Sequence, residues 1–255
     1  MRCNKAMSAI ENMDKRSKQI AIISAFAVIY AIMRIVPSFP VIGAPGASFS
    51  MSDILVPIYA IVFGPYIAAA AIFLGTFLGI VFGKPIIFLG WDFLPATMGA
   101  LFIGFIIHGK KFIALGLLLI GILVFNLLPY TESFIPINSQ ISIPYNWFHI
   151  IAALALITPI TKISIGWIEE NSNKAIFGVF ILAMIGTLFQ HIVGGIVFVT
   201  TLGIFMESIN PDAFPGIWKA IFYVYPIERV AIAVISAVVA APIIRSIKPL
   251  LSKSV

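Results

Sequence analysis

The sequence predicts an all-α integral membrane protein, a polytopic bundle of about eight transmembrane helices with both termini in the cytosol. Three features indicate this class. Hydrophobic residues make up 61% of the 255 residues. Charged residues make up only 10%, whereas a soluble domain carries roughly 25%. The basic residues fall mainly at the ends of apolar segments, as orientation in a membrane requires.

Eight apolar segments approach or exceed the length that crosses a hydrocarbon core, about 20 mostly apolar residues. They are residues 19–36, 52–64, 66–83, 92–108, 112–130, 146–166, 175–202 and 219–246. The second segment is short because Gly64-Pro65 ends it, since proline cannot continue helical hydrogen bonding and glycine caps helices. We therefore expect a cytosolic segment at 1–18, a transmembrane bundle at 19–246 and a cytosolic tail at 247–255.

The basic residues also predict the orientation of the chain. Five lie in the first eighteen residues, and the long apolar run that follows has no small-residue cleavage pattern, so we predict a membrane helix and not a removable signal. With this end inside, the cytosolic side also receives Lys110, Lys111, Lys162, Lys174, Arg245, Lys248 and Lys253. Only Lys84 and Lys219 fall outside, with Arg34 near the outer boundary. The positive-inside rule predicts such an asymmetry, and we expect a multi-pass protein of the cell membrane.

Several function classes are disfavoured by what the sequence contains. The net charge of +6 is explained by membrane orientation, so we expect no nucleic-acid partner. The single cysteine, Cys3, excludes an internal disulfide, and no Cys/His spacing indicates a metal site. The motifs of serine hydrolases, zinc peptidases and Walker-type ATPases are missing. We therefore expect neither an enzyme nor a bound cofactor.

Two stripes of small residues have different interpretations. Gly75, Gly79 and Gly83 recur at intervals of four on the third segment, and we favour close helix packing as their role. On the seventh segment Gly186, Gln190 and Gly194 share a face. There the glycines leave room beside an amide, so helix packing and substrate binding are both open interpretations.

Polar side chains inside a membrane are costly unless paired or hydrated, so each marks a candidate functional position. The predicted substrate-binding residues lie in the outer halves of the segments, which indicates a cavity open to the outside. They are Arg34, Asp53, Trp91, Asp92, Tyr145, Asn146, His149, Gln190, His191, Tyr225 and Arg229. Helical spacing brings Tyr145 and Asn146 together with His149, and Tyr225 together with Arg229.

The four tryptophans receive different interpretations. For Trp167 and Trp218 we favour the interfacial aromatic belt of membrane proteins. Trp91 and Trp147 could instead stack on a ring of the substrate, and belt and binding roles are equally open for them.

From Arg34 to about Gly109 the chain carries a recognisable series of elements. It contains RIVPSFPVIGAPGASFSMSDILVPIYAIVFGPYIAAAAIFLGTFLGIVFG and then WDFLPATMGALFIGFI. The series comprises a Pro/Gly loop, Ser52-Asp53-Ile54 at a helix start, the Phe63-Gly64-Pro65 turn, a glycine-bearing helix and an acid before a Gly-rich helix. In this order it resembles the substrate-binding S components of energy-coupling factor (ECF) vitamin transporters, over about a third of the chain.

The resemblance implies a six-helix core, so either this chain adds extra helices or some of the eight segments are broken or re-entrant. It also implies a substrate-capture subunit of an ABC importer that binds a small vitamin or vitamin precursor from the outside. Its implied partners are a transmembrane coupling subunit and two ABC-type ATPases. Small residues of the first helix would dock on the coupling subunit, here Ala21, Ala25, Ala27 and Ala31. The binding residues of the C-terminal half cannot be transferred, because the helix counts differ.

Two other functions stay open. A stand-alone ion-coupled secondary transporter could use Glu228, Arg229 and His191 for coupling. A membrane enzyme or assembly factor acting on a lipid intermediate would depend on Asp92. The transporter interpretation requires uptake without an ATPase, and the enzyme interpretation requires formation of a product from a lipid substrate.

Overall fold

The computed structural model describes residues 2–170 and 173–251, with side chains described for 16–170, 173–244 and 246. The structure is 75% helical. The α-helices of the described residues are α1 (Arg2–Ile35), α2 (Leu55–Phe63), α3 (Pro65–Val81), α4 (Leu94–Ile107), α5 (Lys111–Leu127), α6 (Trp147–Ile157), α7 (Ile160–Glu169), α8 (Ala175–Phe198) and α9 (Phe214–Leu251). Residues 252–255 of the predicted cytosolic tail lie outside the described residues.

Short elements complete the chain. One hairpin pairs β1 (Pro37–Pro40) with β2 (Ser48–Ser50), and a second pairs β3 (Phe134–Pro136) with β4 (Ser142–Pro144), both antiparallel. Single 3₁₀ turns precede α2, α4 and α9, and a π-helical segment, Val199–Phe205, continues α8. Both hairpins lie in the long loops that the charge distribution places outside.

Three helical stretches in the described part of the chain are long and apolar enough to cross a membrane: Arg16–Ile35, Ala175–Phe205 and Pro211–Ile244. A fourth is added if α6 and α7 form one span. Shorter apolar helices occupy Met51–Phe63, Pro65–Val81, Trp91–Ile107 and Lys111–Leu127. The structure is consistent with a helical membrane protein, and the figure of eight crossings stays a prediction.

The predicted segment at 146–166 is not one continuous helix. It consists of α6 and α7, which are bent by 70° where they meet. Thr158 there has an extended backbone, φ −72° and ψ 169°, as expected for a residue that precedes a proline. Pro159, the next residue, is the N-cap of α7 and lacks the N–H that a continuous helix would use.

Large apolar side chains cover the outside of the bundle. Among the most exposed are Tyr66, Val81, Phe112, Leu127 and Ile227, each at least 70% exposed. Soluble monomers rarely display so much contiguous apolar surface. Lipid is the environment in which this surface is stable.

The packing prediction for the α3 glycines is confirmed at two of three positions. A Cβ at Gly75 would lie 2.7 Å from the carbonyl oxygen of Ala27, and one at Gly79 would lie 2.9 Å from Cδ of Arg34. Both glycines therefore let α1 pack directly on α3. Gly83 instead follows the end of α3 with φ +101° and no neighbour within 4 Å of an added Cβ, so it serves the turn.

α8 lies at the centre of the bundle and is the most enclosed of the long helices. Gly186 packs against Ile103 of α4, and Gly178 packs against the backbone of Ser164 in α7. Phe102 and Phe189 stack between α4 and α8 with their ring centroids 4.1 Å apart. This packing holds the second half of α8 beside α4 and α9, where the polar residues gather.

Candidate functional site

A cavity of about 110 Å³ lies at the end of the bundle where α1, α3 and α8 end and α4 and α9 begin. Its walls come from the β1–β2 hairpin, the loop after α3, the start of α4, the second half of α8 and the first half of α9. A single water needs roughly 10–15 Å³ on a comparable measure, so the cavity is far larger than a water site. It is the place where the predicted polar residues meet.

Seven of the eleven predicted substrate-binding residues line this cavity. They are Arg34, Asp53, Asp92, Gln190, His191, Tyr225 and Arg229. Their side chains come from α1, from the turns before α2 and α4, and from α8 and α9, and all but His191 are less than 9% exposed. The structure thus brings together residues far apart in sequence.

The other four predicted residues do not line the cavity. Trp91 is 51% exposed and stacks on Phe93 outside it. Tyr145, Asn146 and His149 are buried behind the cavity wall. His149 reaches the wall indirectly, because its Nε2 lies 3.2 Å from Nδ1 of His191, and both rings stack on Tyr225.

Asp92 is held by the loop that ends in α4. Leu89 and Gly90 have φ values of +52° and +91°, so the chain reverses between Phe88 and Asp92. The reversal brings the carboxylate to the backbone N–H groups of Ile87 and Phe88, which donate to it at 3.1 Å each. Arg34 lies 3.7 Å away as its ionic partner. A carboxylate fixed by two amides in this way is a preorganised anchor for a buried guanidinium.

Asp53 and Gln190 meet across the bundle. Nε2 of Gln190 donates to Oδ1 of Asp53 at 2.8 Å. Gly99 of α4 lies opposite, where an added Cβ would be 3.2 Å from Cβ of Gln190. Gln190 therefore serves helix packing, and it also lines the cavity with its Oε1 unpartnered among the described residues.

Glu228 and Arg229 are neighbours on α9 and form an ion pair of 3.4 Å. Arg229 is 3% exposed and Glu228 is 5% exposed, so both charges are buried. About two turns further along α9, Ser236 donates to the carbonyl of Ile54 at 2.9 Å. That hydrogen bond ties α9 to the turn that carries Asp53, which fixes the two charged segments relative to each other.

Lys84 lines the cavity, whereas the sequence predicts only that it lies in an external loop. Its Nζ donates to the carbonyl oxygen of Ser48 at 2.9 Å and to Oγ of Ser48 at 3.3 Å, which fastens the β1–β2 hairpin over the cavity. Burial, and secondarily the charge of Arg34, lowers the pKa of Lys84 below its ordinary value. Its solitary position in a nearly charge-free external loop was the signal available in the sequence. Glu228, considered only for ion coupling, also lines the cavity.

The belt interpretation of Trp218 is wrong. Trp218 is 1% exposed, lines the cavity and donates from Nε1 to the carbonyl of Tyr130 at 2.6 Å. Trp147 is half-buried and stacks on Phe148, away from the cavity. Trp167 is also half-buried, with the Lys174 ammonium 5.7 Å from its ring centroid. The residue type alone does not predict which tryptophan lies in the interior and which lies at the surface.

The docking residues of α1 divide into two pairs. Ala21 and Ala25 are exposed on the surface of the bundle. Ala27 and Ala31 are 1% and 0% exposed because they face the interior, Ala27 directly against Gly75. The structure contradicts a docking role for Ala27 and Ala31, since no partner can reach them without separating α1 from α3.

No group of three or more His, Cys, Asp or Glu residues in the described part of the chain is arranged to hold a metal ion. No family model, curated protein or solved structure matches the chain. The resemblance to S components therefore stays a prediction, and the chemistry of the cavity has to be argued from its own residues.

Proposed function

We propose that this chain is the substrate-capture membrane subunit of an ECF-type ABC importer, and that it binds a small vitamin or vitamin precursor from the outside. The observation that carries the proposal is the convergence of buried charged groups on one cavity with a largely apolar remainder. Small-molecule sites have this composition, an apolar lining with a few placed polar groups. The cavity also lies at the end of the bundle that the charge asymmetry predicts to be outside.

The polar groups of the cavity are held in place before any ligand arrives. Asp92 is fixed by two backbone amides, Asp53 by Gln190, and Lys84 by Ser48. Side chains that are already ordered lose little further freedom when a ligand binds, which favours capture at low concentration. This arrangement supports a role in binding.

The importer proposal also assigns a surface to the coupling subunit. Ala21 and Ala25 are small, exposed and one helical turn apart on α1, which permits the close approach of another transmembrane helix. Under the proposal, that partner joins the chain to two ABC-type ATPases. Ala25→Trp should therefore abolish co-purification of the coupling subunit and leave ligand retention intact, whereas Arg229→Ala should do the reverse.

The central experiment is mass spectrometry of small molecules released from the purified protein, together with thermal shifts across a panel of vitamins. Wild type and the surface variant Arg16→Ala should retain the same molecule, and Arg229→Ala should lose it while still eluting as a monodisperse species. Wild-type protein that releases nothing and is shifted by no vitamin would contradict the proposal. Arg16 is a matched control because it is exposed at the start of the apolar part of α1.

A stand-alone ion-coupled transporter is the second candidate. The observation that favours it is the contact between the buried His149 and the half-buried His191, near the buried pair of Glu228 and Arg229. Intramembrane ionisable groups of this kind serve proton relays in transporters. Uptake into proteoliposomes that contain only this chain and a proton gradient would support it, whereas uptake that requires added ATPases would support the importer.

A further inference from the structure

Three buried polar atoms of cavity residues have no hydrogen-bond partner within the described residues. They are Nε of Arg34, Nε of Arg229 and Oε1 of Gln190. Buried polar groups without a partner are rare in native proteins, so each calls for a physical explanation. Two of the atoms are donors and one is an acceptor. A ligand that satisfied them would therefore have to carry both acceptor and donor groups.

Some of the charged groups of the cavity also lack an ionic partner. Two cations have carboxylate partners, Arg34 with Asp92 at 3.7 Å and Arg229 with Glu228 at 3.4 Å. Lys84 has no ionic partner within 4 Å among the described residues, and its hydrogen bonds go to Ser48.

Asp53 is the corresponding anion. Its hydrogen-bond partner is the neutral amide of Gln190, and no described cation lies within 4 Å of it. The cavity therefore retains one cation and one anion without a counter-ion in contact. Lys84 lies near Arg34, while Asp53 lies beside the unpartnered Oε1 of Gln190, and the charges of Lys84 and Asp53 act on each other from beyond contact distance. The unsatisfied groups thus form one cationic position and one acceptor position.

The overall charge of the lining limits the charge of the ligand. The lining contains three basic residues, Arg34, Lys84 and Arg229, and three acidic residues, Asp53, Asp92 and Glu228. A ligand with a net charge would leave that charge uncompensated in a buried site, which is costly. A phosphate monoester, for example, would add about two negative charges against the single unpaired cation, Lys84, and would leave Asp53 without a counter-ion.

The rest of the lining is apolar and aromatic. Phe88, Phe198 and Trp218 lie on it, and each is less than 9% exposed. Rings of this type bury a flat or branched apolar body well. The ligand therefore needs an apolar part in addition to its charged groups.

We infer that the captured molecule is a small zwitterion with an apolar body, an inference that rests on the proposed capture function. Its carboxylate is placed at Lys84 and Nε of Arg34, and its ammonium is placed at Asp53 and Oε1 of Gln190. The apolar body contacts the aromatic side of the lining. Charge-assisted hydrogen bonds at both ends then give Lys84 and Asp53 a counter-ion and satisfy two of the three unpartnered atoms, Nε of Arg34 and Oε1 of Gln190.

The test begins with the molecule released from purified wild-type protein. Methyl esterification should show a carboxyl group, and reductive methylation should show an amine. The released molecule, its methyl ester and its N-acetyl derivative are then compared by isothermal titration with ligand-free protein. Each derivative should bind about 30-fold more weakly or worse, because each removes one partner of a buried charge pair.

Two variants locate the two ends of the molecule. The Lys84→Met protein should bind the molecule and its methyl ester with similar affinity but should still bind the N-acetyl derivative weakly. The Asp53→Asn protein should bind the molecule and its N-acetyl derivative with similar affinity but should still bind the methyl ester weakly. The exposed residues Lys219 and Asp212 provide matched controls, since Lys219→Met and Asp212→Asn should discriminate as wild type does.

The outcomes separate the inference from the proposed function. A released molecule that lacks either the carboxyl or the amine overturns the zwitterion and leaves capture standing. Derivatives that bind as tightly as the parent molecule also overturn it. Wild-type protein that releases nothing and responds to no vitamin overturns the proposed function, and the inference fails with it.

Discussion

The α1–α3 interface and the cavity both depend on glycine, and they use it in opposite ways. At the interface, a Cβ on Gly75 would meet the carbonyl oxygen of Ala27 at 2.7 Å, so the missing side chain is replaced by a neighbouring helix. In the cavity, a Cβ on Gly194 would meet only the side chain of Pro95, at 3.9 Å. There the missing side chain leaves open volume. The same residue type therefore supports contact in one region and space in the other.

Arg34 connects the two regions. Its Cδ occupies the space beside Gly79, where an added Cβ would lie 2.9 Å away. Its guanidinium reaches Asp92 at the cavity. Long basic side chains commonly bury their stems while their charged heads reach a polar site. The packed interface thus positions one of the charges of the candidate site.

The largest effect on stability is expected from Gly75→Ala. The new Cβ would clash with backbone that cannot move independently of α1, and such overpacking costs about 1–3 kcal/mol. The midpoint of thermal unfolding in detergent should fall clearly. Gly116→Ala is the control, because a Cβ there has no neighbour within 4 Å and should not destabilise the protein. Equal midpoints for the two variants would contradict the close packing of α1 on α3.

A converse result is expected from Gly194→Ala. The Cβ makes only an ordinary contact, and alanine favours a helix over glycine by about 1 kcal/mol, so stability should hold or rise slightly. Ligand retention should fall severalfold, because the methyl group occupies cavity volume. A variant that loses stability but retains the ligand would show that Gly194, like Gly75, is closely packed against a neighbouring helix.

The smallest effect is expected in the contribution of Lys84 to the pH dependence of stability. Its pKa is lowered in the folded protein, chiefly by burial, relative to the ordinary value of 10.5. Between the lowered pKa and 10.5 the unfolded chain binds more protons than the folded chain, so stability rises with pH across that window. The unfolding midpoint of wild type minus that of Lys84→Met should therefore increase as the pH approaches 10.5. A difference that stays flat would place Lys84 in water, and one that decreases would show that the folded protein stabilises its charged form.

Much of the candidate site could be predicted from single residues and their depth. A charged or amide side chain within an apolar segment is expensive in lipid, and this cost identified Asp53, Gln190 and Arg229 without any knowledge of the fold. The same reasoning failed for Lys84, because a loop lysine pays no such cost until the tertiary structure covers it. Trp218 was misassigned since an aromatic residue near a helix start suits both the interface and the interior.

The first helix shows the same division. Its small residues indicated close helix contacts, but four alanines on one helix do not state which neighbour each one meets. Ala27 and Ala31 face α3 and the bundle interior, while Ala21 and Ala25 remain on the surface. A rotation of α1 about its own axis would exchange these roles without changing the sequence pattern.

The membrane-like composition, the approximate helical segments and the residues whose polarity is costly in lipid all follow from the amino-acid sequence alone. These are properties of short stretches of chain, set by apolar length, helix-breaking residues and side-chain solvation. The convergence of Arg34, Lys84 and Arg229 on one cavity depends on tertiary structure, as does whether the space beside a glycine is filled or left open. Those outcomes depend on which helix faces meet, and that is settled by the packing of residues far apart in the chain.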